Sequence, residues 1–149
     1  MRHKTAGYKL GRDKAHRDAL LRNLVTNVIE RERVITTITK AKAAQPLVDR
    51  MITLAREDTL HARRQAARFL RSPESVQKLF DKLGTRFGQR NGGYTRVVRI
   101  GFRPGDGAEK AMLELVGSEL VKRAADRAKR KEERLKAMRE GREDENAEE

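Results

Sequence analysis

The sequence predicts an α+β fold: a small three-stranded mixed sheet packed against about four helices, with a basic N-terminal arm and a charged C-terminal tail. Apolar residues recur at helical spacing in four segments, and three further runs are β-branched or alternate between apolar and polar. The segments follow the order helix, strand, three helices, two strands. A chain of 149 residues suits one domain, so we expect helices to cover a single small sheet.

The chain opens with a basic segment and an amphipathic helix. Residues 1–14 contain five Lys or Arg, two glycines and little to bury, which predicts an extended arm. A helix is expected over residues 16–31, because its apolar residues share one helical face. These are Leu20, Leu21, Leu24, Val25, Val28 and Ile29.

A strand and a second helix follow. The β-branched run at residues 33–38 predicts a strand, after which Thr39 could cap a helix. Pro46 lacks the amide proton that a helix interior uses, so we expect a late start or a kink in the first turns. The expected inner face is Leu47, Val48, Met51, Ile52 and Leu54.

Two more helices are predicted before residue 84. Residues 58–70 place Ala62, Ala66, Phe69 and Leu70 inward, with Arg63, Arg64, Arg68 and Arg71 largely outward. Ser72 and Pro73 are typical of a helix start. The next apolar stripe is Val76, Leu79, Phe80 and Leu83, and Gly84 is expected to end that helix.

The last predicted elements form a hairpin. Residues 94–102 and 111–116 predict two antiparallel strands, joined at residues 103–107 by a Pro- and Gly-rich turn.

The whole chain is expected to consist of three segments. These are an arm at 1–14, an α+β domain at 15–117 and a tail at 118–149, which is expected to be partly helical or disordered.

The charge is unevenly distributed. Lys and Arg number 35 against 22 Asp and Glu, for a net charge of +13. Residues 118–149 contain 10 of each kind, so the whole excess belongs to residues 1–117. Such an excess favours a polyanionic partner.

An acidic membrane is disfavoured as the partner, because no basic amphipathic helix with aromatic anchors and no lipidation signal is evident. With no secretory signal or membrane span, a cytoplasmic location is expected.

Catalytic and cofactor sites find little support. The absence of Cys excludes thiolate nucleophiles and zinc fingers. The three histidines lack the paired spacing of a zinc site, and no Ser, His and Asp set is framed by a nucleophile turn. The glycines near Lys110 do not have the spacing of a phosphate-binding loop. We therefore expect no enzyme activity, no metal, no cofactor and no small-molecule substrate.

A cluster of arginines carries the positive signal for nucleic acid. Residues 86–103 contain no Asp or Glu. Arginine binds phosphate oxygens with two parallel hydrogen bonds, and the interleaved aromatic residues and glycines suit close contact with RNA. The alternative is an edge strand that charge keeps soluble. The candidate contacts from this segment are Arg86, Arg90, Tyr94, Arg96, Arg99 and Arg103.

Several motifs in register resemble one family. They are the opening Met1-Arg2-His3-Lys4, the run from His16 to Leu24, the run from Thr36 to Lys42, His61-Ala62-Arg63-Arg64, Gly92-Gly93-Tyr94-Thr95-Arg96 and Gly105-Asp106-Gly107-Ala108. Together they resemble the bacterial large-subunit ribosomal protein seventeen family, from Met1 to about Val116. The tail after Gly117 lies beyond the resemblance.

The resemblance implies a non-catalytic architectural role. It also implies that the protein binds large-subunit ribosomal RNA beside neighbouring large-subunit proteins. The implied place is near the outer end of the nascent-chain tunnel. The further candidate RNA contacts are Arg2, His3, Lys4, Lys9, Arg12, His16, Arg17, Arg22, Lys40, Lys42, Arg63 and Arg64. The alternative is a basic DNA-binding or nucleoid-associated protein, because charge alone does not distinguish DNA from RNA.

Overall fold

The chain forms helices and one sheet in a computed structural model that describes residues 7–117 and Arg134. The elements are α1 (Lys14–Arg31), β1 (Arg33–Thr37), α2 (Ile38–Glu57), α3 (Leu60–Phe69), α4 (Pro73–Lys78), a π-helical turn (Leu79–Gly84), β2 (Thr95–Phe102) and β3 (Glu109–Leu115). The α+β class, the four helices and the three strands are thereby confirmed. Residues 1–6 of the expected arm and, apart from Arg134, the expected tail lie outside the described residues.

The sheet has the order β1-β3-β2, so the last strand lies in the centre. Arg33 pairs with Glu114 on one side of β3, and Thr95 pairs with Leu115 on the other. The hairpin of β2 and β3 is confirmed. Both strand pairs are antiparallel, so the expectation of a mixed sheet is wrong. The reason is that β1 and β2 both run opposite to the central strand between them.

Helix α2 provides the centre of the core. Its inner residues Val48 and Ile52 are fully buried, and they share one cluster with residues of α1, the π-helical turn and β3. This confirms most of the predicted apolar faces. Seven of the predicted inward residues are only partly buried: Leu20, Leu21, Leu24, Leu47, Leu54, Phe69 and Val76. The apolar face of α2 is therefore wider than its neighbours cover.

The helix starts follow capping chemistry. The Asp13 carboxylate accepts a hydrogen bond from the His16 amide at 3.1 Å, so α1 begins two residues earlier than expected. Helix α2 begins at Ile38 after Thr37, which makes no side-chain cap, so the assignment of Thr39 as the cap is wrong. The helix runs on through Pro46, and the expected late start is wrong too.

The third and fourth helices begin at hydroxyl caps. Thr59 accepts a hydrogen bond from the Ala62 amide, which starts α3 two residues later than expected. Ser72 accepts one from the Ser75 amide, which confirms the predicted start of α4.

None of the described helices is long and apolar enough to cross a membrane.

Gly84 has a different role from the predicted one. The helical backbone continues past it, so Gly84 does not end the helix. A Cβ atom at this position would lie 2.8 Å from the Ala55 carbonyl oxygen on α2. The glycine therefore lets the π-helical turn approach the backbone of α2.

Candidate nucleic-acid interface

The start of α1 carries the first basic group. Lys9 and His16 are exposed. Arg12 Nη1 donates to the Leu10 carbonyl at 2.7 Å, and Arg17 Nη1 donates to the Arg12 carbonyl at 3.3 Å. Backbone acceptors thus hold two of these guanidinium groups, and the positive charge is not neutralised by them. The predicted contacts Arg2, His3 and Lys4 lie outside the described residues.

The start of α2 combines lysines with a helix N-terminus. No acidic residue lies in its first turn, and Thr37 leaves the turn without a side-chain cap. Lys40 is half-buried and Lys42 exposed. The first amides of a helix lack partners within the helix and carry a partial positive charge. This end of α2 is consequently suited to a phosphate group.

A groove lies between α1, α2 and α3, with a volume of about 370 Å³. The guanidinium carbon of Arg22 lies 5.7 Å from the centre of the Phe69 ring. Arg50 and Arg68 line the same groove, although neither was among the predicted RNA contacts. The signal for Arg50 was the broad apolar face of α2, because Arg50 follows Leu47 by three residues and therefore shares its side of the helix.

The two arginines at the start of α3 differ. Arg63 Nε donates to Asp58 Oδ1 at 2.7 Å, and its guanidinium carbon lies 4.7 Å from the centre of the Phe80 ring. Arg64 is exposed and, within residues 7–117, has no ion pair. Arg64 is therefore the freer of the two to meet an external anion.

The hairpin arginines meet carboxylates that the acid-free stretch of sequence did not reveal. Arg96 lies 3.7 Å from Glu114 Oε1, and Arg99 lies 2.9 Å from Glu109 Oε1, both across the strand pair. More than half of each arginine side chain is exposed. The Arg99 pair is the more exposed of the two, and exposed pairs contribute about 0 to 1 kcal/mol, so a phosphate can compete for the Arg99 guanidinium group. Glu114 is buried, and its contact with Arg96, at 3.7 Å, leaves most of the Arg96 side chain exposed to an external anion.

Arg103 is bound within its own turn. Its Nε donates to Asp106 Oδ1 at 2.9 Å, and a second guanidinium nitrogen contacts the other carboxylate oxygen. The hydrogen bond from Arg103, followed by one from the Ala108 amide, lowers the pKa of Asp106 to about 2. Asp106 is therefore charged at neutral pH, and the pair orders the turn between β2 and β3.

Tyr94 belongs to the core, so its assignment as an RNA contact is corrected. Only 2% of its surface is exposed, and its ring packs edge to face on Phe87 with the ring centres 5.3 Å apart. Its hydroxyl accepts a hydrogen bond from Arg56 Nη1 at 2.9 Å. A buried ring cannot stack on a base. The sequence did not distinguish this tyrosine from an exposed one.

Arg86 and Arg90 flank the same core region. Arg86 Nη1 donates to Glu32 Oε2 at 2.8 Å, and its guanidinium carbon lies 5.0 Å from the centre of the Phe87 ring. A quarter of the Arg86 side chain is exposed, so its main role is to join α1 to the helical segment before β2. Arg90 is exposed, and its Nε donates to the Gly92 carbonyl at 3.1 Å.

No three His, Asp or Glu residues converge to hold a metal ion in the part of the chain that the structure describes. The chemistry of the described surface is instead that of guanidinium, ammonium and helix amide groups. These groups bind anions without transferring protons or electrons. The basic groups lie on α1, α2, α3 and the hairpin, so a large polyanion could contact several at once.

Comparisons with known proteins show which family the chain resembles. Residues 20–116 match the family model described as Ribosomal protein L17. A protein of Solibacter usitatus named large ribosomal subunit protein bL17 is 76% identical over 145 residues, 97% of each chain. The protein of that name in Koribacter versatilis is 56% identical over 144 residues, 93% of this chain and 89% of its own.

A further relative is matched over its whole length. The Chloroflexus aurantiacus protein of the same name is 53% identical over 116 residues, which is 78% of this chain and 100% of its own length. From the match over residues 20–116 and these identities, the chain belongs to the ribosomal protein L17 family.

Proposed function

We propose that the protein is a structural constituent of the large ribosomal subunit that binds large-subunit ribosomal RNA. The observation that carries this proposal is the family match over residues 20–116, with relatives that are named large ribosomal subunit protein bL17. Its role in translation is architectural, without catalysis, and its neighbours are other large-subunit proteins.

The basic surface supports RNA as the direct partner. Exposed or half-exposed cations lie on α1, the start of α2, α3 and the hairpin, so phosphate contacts would be spread over several elements. Such contacts position a protein on its RNA and supply much of the affinity. The structure offers Lys9, His16, Arg17, Arg22, Lys40, Lys42, Arg64, Arg90, Arg96 and Arg99 for them.

Two finer parts of the proposal rest on the sequence. The resemblance implies a place near the outer end of the nascent-chain tunnel, which chemical cross-linking to stalled nascent chains would test. The proposed division into a basic arm at 1–14, an RNA-binding domain at 15–117 and a charged tail at 118–149 follows the change in charge along the chain. Since the tail is neutral, deleting it should leave RNA affinity nearly unchanged.

Sedimentation of a lysate tests the main proposal. The protein should sediment with the large subunit in moderate salt and leave that fraction after digestion with ribonuclease. Digestion with deoxyribonuclease should change nothing. Release by deoxyribonuclease alone would favour the alternative of a DNA-binding protein.

A further inference from the structure

The groove between α1, α2 and α3 combines an apolar floor with three arginines. Leu47, Leu54 and Phe69 are partly buried hydrophobic residues that line it, with Met51 beneath. Apolar surface of this kind is stabilised when an occupant removes it from water. The volume of about 370 Å³ lies in the range of sites that hold small organic groups.

The rim has the charge of an anion site. Arg22, Arg50 and Arg68 come from three different helices, and the lining contains no Asp or Glu among the described residues. Within residues 7–117, none of the three forms an ion pair. Guanidinium groups that line one groove repel one another unless a negative charge lies between them. The groove is therefore complementary to an anion that also has an apolar part.

The groove also offers polar groups beside the apolar floor. His61 Nε2 and Gln65 Nε2 lie 2.6 Å apart on neighbouring turns of α3. A histidine ring and a carboxamide supply both donors and acceptors, which is what the edge of a nucleobase requires. The aromatic ring of Phe69 and the guanidinium plane of Arg22 supply flat surfaces for stacking.

We propose that this groove holds one unpaired, extruded nucleotide of the bound RNA. Its base would lie on the apolar floor against Phe69, and its flanking phosphates would meet Arg22, Arg50 and Arg68. RNA is commonly recognised in this way, through bases that leave the helix and stack on aromatic rings or arginine planes. The inference rests on the proposed RNA-binding function and adds a site to it.

Cross-linking provides the direct test. Large subunits that contain the native protein are irradiated with ultraviolet light, and the peptides joined to RNA are identified by mass spectrometry. The peptide that contains Phe69 or His61 should carry a nucleotide. If it is joined to a peptide of another protein instead, the occupant is a protein segment and the proposal is overturned.

Chemical probing identifies the nucleotide and tests the arginines. Dimethyl sulfate and a carbodiimide together report the accessibility of all four bases in subunits assembled with each variant. One unpaired base should be protected by the native protein and accessible with Arg50→Gln/Arg68→Gln or with Phe69→Leu. The rest of the footprint should remain. If both variants protect every base that the native protein protects, the groove holds no nucleotide.

A matched variant separates contact from net charge. Arg31→Gln/Lys82→Gln also removes two exposed positive charges, from positions outside the groove. This control variant should keep the base protected. Arg50→Gln/Arg68→Gln should bind RNA at least about ten-fold more weakly than the control. If the native protein does not associate with large-subunit RNA at all, the proposed function itself fails. If it associates but no base contacts the groove, only this inference fails.

Discussion

The Thr95 hydroxyl donates a 2.9 Å hydrogen bond to the Asp49 carboxylate and thereby joins the middle of α2 to the first residue of β2. Thr95 is buried, and Asp49 is half-buried. Burial raises the pKa of Asp49, and the hydrogen bonds from Thr95 and the Tyr94 backbone oppose this only in part. The folded structure therefore favours the protonated form of the Asp49 carboxyl group more than water does.

The pKa of Asp49 predicts a pH dependence of stability. Since the folded pKa is raised, the folded state binds the proton more tightly than the unfolded state. The stabilising contribution is full below the unfolded pKa of about 3.9 and is lost as pH rises through the folded pKa. Urea denaturation should show Asp49→Asn losing more stability, relative to the native protein, in acid than at neutral pH. A difference that is constant across this range would contradict the prediction.

Glu32 predicts the opposite pH dependence. Burial by itself raises the pKa of its carboxyl, but the hydrogen bond and charge of Arg86, together with Lys78, lower it overall. The stabilisation is therefore present above the unfolded pKa of about 4.3 and is lost as pH falls through the lower folded pKa. Glu32→Gln should cost about 1 to 3 kcal/mol of unfolding free energy at neutral pH, measured in urea, and less in acid.

The control for Glu32 is an exposed carboxylate. Glu57→Gln changes a residue on the surface of α2, where substitutions usually shift stability by less than about 0.5 kcal/mol. Equal losses for Glu32→Gln and Glu57→Gln would show that the contacts with Arg86 and Lys78 contribute nothing specific.

Gly84 predicts a steric effect on stability. A methyl group there would meet the Ala55 carbonyl at 2.8 Å, and because that atom belongs to the backbone of α2, the helices must separate. Gly84→Ala should lower the unfolding free energy by about 1 to 3 kcal/mol. Gly88→Ala is the matched control, because its Cβ would lie 3.4 Å from the nearest atom, the Thr85 carbonyl oxygen. Similar denaturation midpoints for the two variants would refute the close approach.

Substitutions of Tyr94 and Arg64 should affect different properties, the first the stability of the fold and the second RNA binding. Tyr94→Phe removes the hydroxyl that accepts from Arg56, so it should cost about 1 kcal/mol of stability and leave RNA affinity unchanged. Arg64→Gln should leave stability nearly unchanged. If Arg64 contacts a phosphate, its loss should reduce the slope of log affinity against log salt by about one. A loss of RNA affinity for Tyr94→Phe would restore the tyrosine hydroxyl as a contact.

The native protein sets the reference for that slope. If about six to ten phosphates are contacted, RNA affinity should fall by several orders of magnitude between about 50 and 200 mM salt. Filter binding or fluorescence anisotropy with large-subunit RNA measures this directly. A flat titration would show that the basic surface does not bind phosphates.

Features that depend on local chemistry were predictable from the sequence alone. Apolar spacing located α1, α3 and the hairpin to within about two residues. Ser72 and Pro73 marked a helix start correctly, because capping involves only residues three apart. The excess of positive charge and the motifs shared with the family could likewise be identified without a structure.

Contacts between residues far apart in the sequence became known from the folded structure. It placed β3 between β1 and β2, buried Tyr94 against Phe87 and turned Gly84 from an expected helix end into a point of close packing. It also brought Arg22, Arg50 and Arg68 around one groove. Each relationship joins residues of separate elements. Such contacts depend on how the helices and strands pack, and spacing along the chain carries little information about that packing.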